Sequence, residues 1–162
     1  DNITGALEGS FSNPLGVAIL EGVLYYGDWA FELPARLEPG ETVRALDLRE
    51  TMRNLESRLT KSRVVKRSQQ ESGWSKVDFD VPRIVEMLMF HQAAGGARYT
   101  GLTHRYQPWL DMSDHLNLNR AVLVGRVAAG ASRLAVGGEL KEPDQQWVYY
   151  RIVFPVSPAT GG

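Results

Sequence analysis

Hydrophobic and polar positions along the chain follow two periods, and the switch between them divides it into three zones. From residue 3 to 46 the period is two. Residues 7–11 predict a short strand, and Asn13-Pro14-Leu15-Gly16 predicts the turn after it. Next, Val17, Ile19, Val23 and Tyr25 fall on one face of a strand, with Ala18, Leu20, Leu24 and Tyr26 on the other. A strand apolar on both faces is covered on both sides. Gly27-Asp28 between Tyr26 and Trp29 is hairpin-loop chemistry, so residues 30–33 return as the partner strand. Glu38-Pro39-Gly40-Glu41 reads as a type II turn leading into a strand at residues 42–45.

Between residues 47 and 118 the period becomes helical. Asp47 and Glu50 have capping-box spacing, and Leu48, Met52, Leu55 and Leu59 recur at helical intervals, predicting a helix over 48–61. Residues 62–79 read as an exposed loop. Asp80 is placed to cap a second helix with Pro82 in its first turn and Ile84, Val85, Leu88 and Met89 as its apolar stripe. Gly95-Gly96 stops it, and a short third helix starts near Pro108 or Ser113 and ends by Leu116.

Residues 119–156 return to period two. Residues 121–125 are a short apolar strand, and Gly137-Gly138 sits in a turn or between weak strands. Residues 147–156 give the clearest strand: Val148, Tyr150, Ile152, Phe154 and Val156 share an apolar face, and Trp147, Tyr149 and Arg151 a mixed one. Strands, a helical interruption and strands again predict an α+β chain, mostly antiparallel β as a sheet or sandwich, with an inserted helical segment. The expected domain is single, over residues 1–156, with β at 3–46, the helical insertion at 47–118, β at 119–156 and a disordered tail at 157–162.

Composition narrows the function classes. The chain has 162 residues, with 18 Lys plus Arg against 19 Asp plus Glu, so no global field draws it to nucleic acid or an anionic membrane. Absence of cysteine excludes disulfides and thiol chemistry. No run of 18 apolar residues is present, so any membrane attachment is expected through segments outside this chain. The start at Asp1 and the small-residue end suggest a piece of a longer protein.

Gly9-Ser10-Phe11-Ser12-Asn13, Val23-Leu24-Tyr25-Tyr26-Gly27, Leu33 and Leu37-Glu38-Pro39-Gly40-Glu41 together resemble immunoglobulin-like β-sandwich modules of bacterial surface and membrane-anchored proteins. This resemblance covers about the first quarter of the chain and rests on turn chemistry. The stretch from Val81-Pro82-Arg83 to Leu123-Val124-Gly125-Arg126 is similar to C-terminal ectodomains of bacterial membrane proteins. The resemblance implies a periplasmic or cell-surface location and no particular activity.

Candidate chemistry concentrates in the middle zone. Motif inspection finds no nucleophile elbow, phosphate loop, dinucleotide fingerprint or H-E-x-x-H, and no cofactor is implied. His91, His104 and His115, with Asp111, would make a metal or hydrolytic site only if the fold brought them together, because their spacing does not. In residues 98–109, Arg98, Tyr99, His104, Arg105, Tyr106 and Trp109 are candidates for binding a carbohydrate or peptide by stacking and ion pairing. The alternative is that Tyr99, Tyr106 and Trp109 anchor the inserted segment. Arg58, Lys61, Arg63, Lys66 and Arg67 form a basic run that would meet an anionic surface or simply solvate a helix end. The leading expectation is a non-catalytic interaction or structural module whose partner is a protein or surface polymer rather than nucleic acid.

Overall fold

The computed structural model describes residues 7–60, 63–65, 68–70, 77, 79–103, 107–128, 132–143 and 145–157. Its strands are β1 (Ser10–Ser12), β2 (Ile19–Tyr26), β3 (Trp29–Glu32), β4 (Arg36–Leu37), β5 (Thr42–Arg44), β6 (Arg53–Asn54), β7 (Arg63–Val65), β8 (Ser68–Gln70), β9 (Arg120–Val127), β10 (Leu134–Val136), β11 (Glu139–Lys141) and β12 (Val148–Pro155). The helices are α1 (Leu55–Thr60), α2 (Val81–Met89), α3 (Ala97–Thr100), α4 (Gln107–Leu110) and α5 (Ser113–Leu116), with a 3-10 helix over Ala45–Thr51. The chain is α+β, and among the described residues every strand pairing is antiparallel.

Six strands form the central sheet, in the order β12-β9-β2-β3-β6 with β4 also on β2. The first and last β zones therefore meet in its middle, where β2 lies beside β9. Gly27-Asp28 turns β2 into β3, with Tyr26 opposite Trp29, as the hairpin chemistry requires. Two apolar layers flank the sheet. On one face Val23, Tyr25, Ala30, Val122 and Val124 pack against Leu55, Leu59, Met87, Phe90 and Leu116 from the helical segment. On the other, Ile19, Leu24, Phe31 and Leu123 pack against Leu33, Leu37, Val43 and Leu48, beneath the β1–β5 pair and the 3-10 helix.

Strict alternation mis-assigns the start of β2, before its register shift. Ile19 shares a layer with Leu24, not with Val23 and Tyr25. The register against β9 slips by one residue between Leu20 and Val23, and Glu21 adopts φ 51°. This bulge inserts one residue and reverses the faces before it. Across from it, a methyl group on Gly125 would overlap Ile19 Cγ2, so only glycine lets β9 approach the bulge.

The helix predicted over 48–61 is absent as one element. Residues 45–51 form the 3-10 helix, β6 follows, and α1 occupies only Leu55–Thr60. Asp47 does not cap: its carboxylate accepts two 2.9 Å bonds from the Arg44 guanidinium. The helical stripe is divided by the sheet, with Leu48 and Met52 in one layer and Leu55 and Leu59 in the other. The chain crosses the β6 edge between them, and tertiary burial overrides the local period. The segment read as a loop over 62–79 contains the β7–β8 pair, with Val64 opposite Gln69. By contrast α2 begins as predicted, Asp80 Oδ1 accepting from the Arg83 amide at 3.2 Å with Pro82 in the first turn. Its buried residues are Met87 and Met89, while Ile84, Val85 and Leu88 are half-buried.

Candidate functional site

The residues nominated from sequence separate into different environments. The 98–109 segment is not one loop: Arg98 and Tyr99 lie on α3 and Trp109 on α4. Tyr99 packs on the helix-side core and donates its hydroxyl to the Thr60 carbonyl at 3.2 Å, an anchoring role. Trp109 is 82% exposed, an uncovered indole beside Leu110. His104, Arg105 and Tyr106 lie outside the described residues.

His91 is buried, with Nε2 2.9 Å from Thr100 Oγ1. Burial pushes its pKa below the ordinary value, against the opposing pull of Asp111. Asp111 is itself engaged in structure, accepting from the Gln92 amide at 2.9 Å and from the Ser113 amide and hydroxyl. His115 faces elsewhere, Nδ1 lying 3.2 Å from Arg120 Nη1. Among the described residues, no group of three His, Asp or Glu side chains is placed to hold a metal.

In the basic run, Arg63 is on β7, and Lys61, Lys66 and Arg67 lie outside the described residues. Arg58 is not an exposed patch residue. Its Nε donates to Glu86 Oε1 at 2.6 Å and its Nη1 to Glu32 Oε1 at 2.5 Å. Tyr25 donates its hydroxyl to the same Glu86 oxygen at 2.5 Å. Thus one carboxylate on α2 ties α1 to the centre of the sheet. A cavity of about 140 Å³ beside it is lined in part by Tyr25, Arg58, Glu86, Arg126 and Tyr149.

The electrostatics of this cluster suit cohesion rather than proton transfer. Burial, then the charge of Glu86, pushes the Tyr25 pKa well above the usual phenol range. Burial opposes the charge on Arg58, but Glu86, Tyr25 and Glu32 outweigh it and hold its pKa above the ordinary value. Tyr25 therefore keeps its proton and Arg58 its charge around pH 7, where a general acid or base must exchange one. Sequence reading missed the cluster because positions 25, 32, 58 and 86 share no spacing motif.

Exposed apolar side chains are spread over the described surface, Phe79, Trp109 and Val77 being the most open, and three of them, Trp147, Tyr150 and Val153, lie on or beside the edge strand β12. β12 pairs with β9 along all eight residues, and among the described residues no strand pairs with its outer edge. Tyr150 is 43% exposed and Val153 37%. Between β9 and β12 the β10–β11 hairpin projects, with Leu134, Val136 and Leu140 exposed. Its turn is Gly137-Gly138, both with φ > 0, as a two-residue hairpin turn demands. Trp147, under the Arg126 guanidinium at 5.2 Å, precedes β12.

Fold and site together define an α+β module with one central antiparallel sheet, an internally satisfied polar cluster and an apolar edge. Neither family models, curated proteins nor solved structures give a match to the chain. Among the described residues, no helix is long and apolar enough to cross a membrane.

Proposed function

We propose that the chain is a non-catalytic interaction or structural module, and that the β12 edge with its neighbouring hairpin is the contact surface. The observation that supports it most is the contrast between the two candidate regions. The Tyr25–Glu86–Arg58 cluster is engaged in its own hydrogen bonds, whereas the exposed side chains of Tyr150 and Val153 lie on a strand whose outer edge no described strand pairs. Monomeric proteins shield such edges, and an unshielded one is where another chain adds. Resemblance of residues 9–41 and 81–126 to bacterial ectodomains supports an extracytoplasmic setting in a membrane-anchored protein. The β1–β5 pair lying over one face of the central sheet supports the finer immunoglobulin-like reading.

A photoreactive amino acid at Val153, compared with one at the exposed Glu56 on α1, tests the contact surface. In the source cells, adducts at Val153 alone are the expected result. Adducts at neither position overturn the reading. A second reading, carbohydrate or peptide binding at residues 98–109, is favoured by the uncovered Trp109 ring. It requires an indole fluorescence change on titrating oligosaccharides or peptides that disappears in Trp109→Phe. A change that survives the substitution rejects it.

A further inference from the structure

We infer that the partner at this edge is a second copy of the chain, with β12 pairing antiparallel to β12 about a two-fold axis through Ile152. This rests on the reading of the edge as a contact surface and deepens it. The β12–β9 register is unbroken from Val148 opposite Val127 to Pro155 opposite Arg120. Eight residues give about 26 Å of edge. Among the described residues, the usual protections of an edge are nearly absent. β12 has no bulge, its proline is the last residue, and Arg151 is its one charge. That guanidinium lies on the helix side of the sheet, Nη1 donating to the Leu110 carbonyl at 3.4 Å.

Symmetry then limits the register. Two antiparallel strands in one sheet are related only by an axis perpendicular to the sheet, so opposed residues share a face and the axis passes through a residue. The longest overlaps of an eight-residue strand place that axis at Arg151 or Ile152. At Arg151, two guanidinium groups would oppose each other, which is destabilising. At Ile152, Arg151 faces Val153 on the helix side of the sheet. Tyr149 also faces Pro155 on that side, a pair short of one ladder bond because proline has no N–H, while Tyr150 faces Phe154 and Val148 faces Val156 on the other side. Those pairs are apolar and aromatic, the combinations that stabilise neighbouring strands. Val156 continues the strand, its amide donating to the Asn119 carbonyl at 2.9 Å. A strand pair alone is smaller than a standard interface of roughly 1,200–2,000 Å², so a dissociation constant in the micromolar range is expected.

Sedimentation velocity over a concentration series tests the dimer, and opposite charges at Val153 test its register. Val153 is exposed enough for both substitutions to leave the fold intact. Val153→Glu places a carboxylate opposite Arg151 of the other copy, twice per dimer, and should tighten association. Val153→Lys opposes like charges at the same two places and should weaken it about tenfold. Because the chain has no cysteine, Ile152→Cys adds a register readout: oxidation should give a disulfide-linked dimer. A monomer at the highest soluble concentration, or a dimer indifferent to the sign of the charge at 153, overturns the proposal. If the chain is monomeric while the Val153 photoadduct contains a different protein, the dimer fails and the contact-surface reading stands. If the chain is monomeric and no adduct forms, both fail.

Discussion

Replacing Asn13 by alanine should remove more stability than any other single polar substitution in the β1–β5 layer. Asn13 is 2% exposed in the loop after β1. Its Nδ2 donates to the Val17 carbonyl at 2.9 Å and to the Leu37 carbonyl at 3.1 Å, and its Oδ1 accepts from the Leu15 amide at 2.9 Å. Its backbone also exchanges bonds with Glu41 and Gly40. Alanine leaves two carbonyls and one amide without these partners, and the Leu37 bond is fully buried. An unsatisfied buried group costs about 1–3 kcal/mol. With the other two groups open to partial rescue by water, the sum is about 2–4 kcal/mol. For a chain of this size that is a fall in Tm of roughly 5–15 °C. Urea unfolding followed by far-ultraviolet circular dichroism reads the same loss as a lower midpoint at an unchanged slope. Asn13→Asp separates hydrogen bonding from packing. It keeps the acceptor for Leu15 but sets a carboxylate against two carbonyls, so it should be at least as damaging at pH 7 and recover as the acid protonates. A loss below about 1 kcal/mol for Asn13→Ala, or an Asp variant as stable as wild type, refutes the reasoning.

Gly125→Ala places a methyl group into Ile19 Cγ2 and should cost about 1–3 kcal/mol by overpacking; a stabilised variant in urea unfolding rejects the close approach at the bulge. Tyr25 has a raised pKa in the fold, so its contribution is fully present below about pH 10 and declines as pH rises toward the folded value. Tyr25→Phe should therefore lose stability near neutrality, where the bond to Glu86 is missing, and show a shallower alkaline decline, measured by Tm against pH. His91 has the opposite sign: its lowered pKa makes stability present above about pH 6.5 and lost as pH falls through the folded value. His91→Gln should flatten that acidic limb, and an unchanged limb assigns it to other groups.

Much of the β framework is legible in the residues because local chemistry and tertiary structure agree there. Gly27-Asp28 demands a tight hairpin, which forms, and Gly137-Gly138, read as a turn or a break between weak strands, is a hairpin turn. Alternation along 148–156 marks β12, whose Ile152 and Phe154 enter the core next to Phe11 while Tyr149 enters the other layer. Legibility fails where the chain crosses between layers. The stripe Leu48, Met52, Leu55 and Leu59 fits one helix face in isolation, but the edge strand β6 splits it between two cores. The bulge at Glu21 carries a pattern that strict alternation also satisfies, so only the partner strand reveals the reversal. At the candidate sites, Tyr99 and Trp109 look alike as aromatic residues near arginines, and only packing shows one as an anchor and the other as an exposed ring. The Tyr25–Glu86–Arg58 cluster joins three elements far apart in sequence, which no local pattern encodes.

Amide hydrogen exchange along residues 148–156 tests the contact-surface account most directly. In the free monomer, no described strand pairs with the amides of β12 that point away from β9. The account predicts that these alternate amides exchange more slowly as the protein is concentrated, while the β2–β3 hairpin stays unchanged. Exchange along β12 that is identical in dilute and concentrated protein, and in the presence of the source-cell envelope fraction, would contradict it.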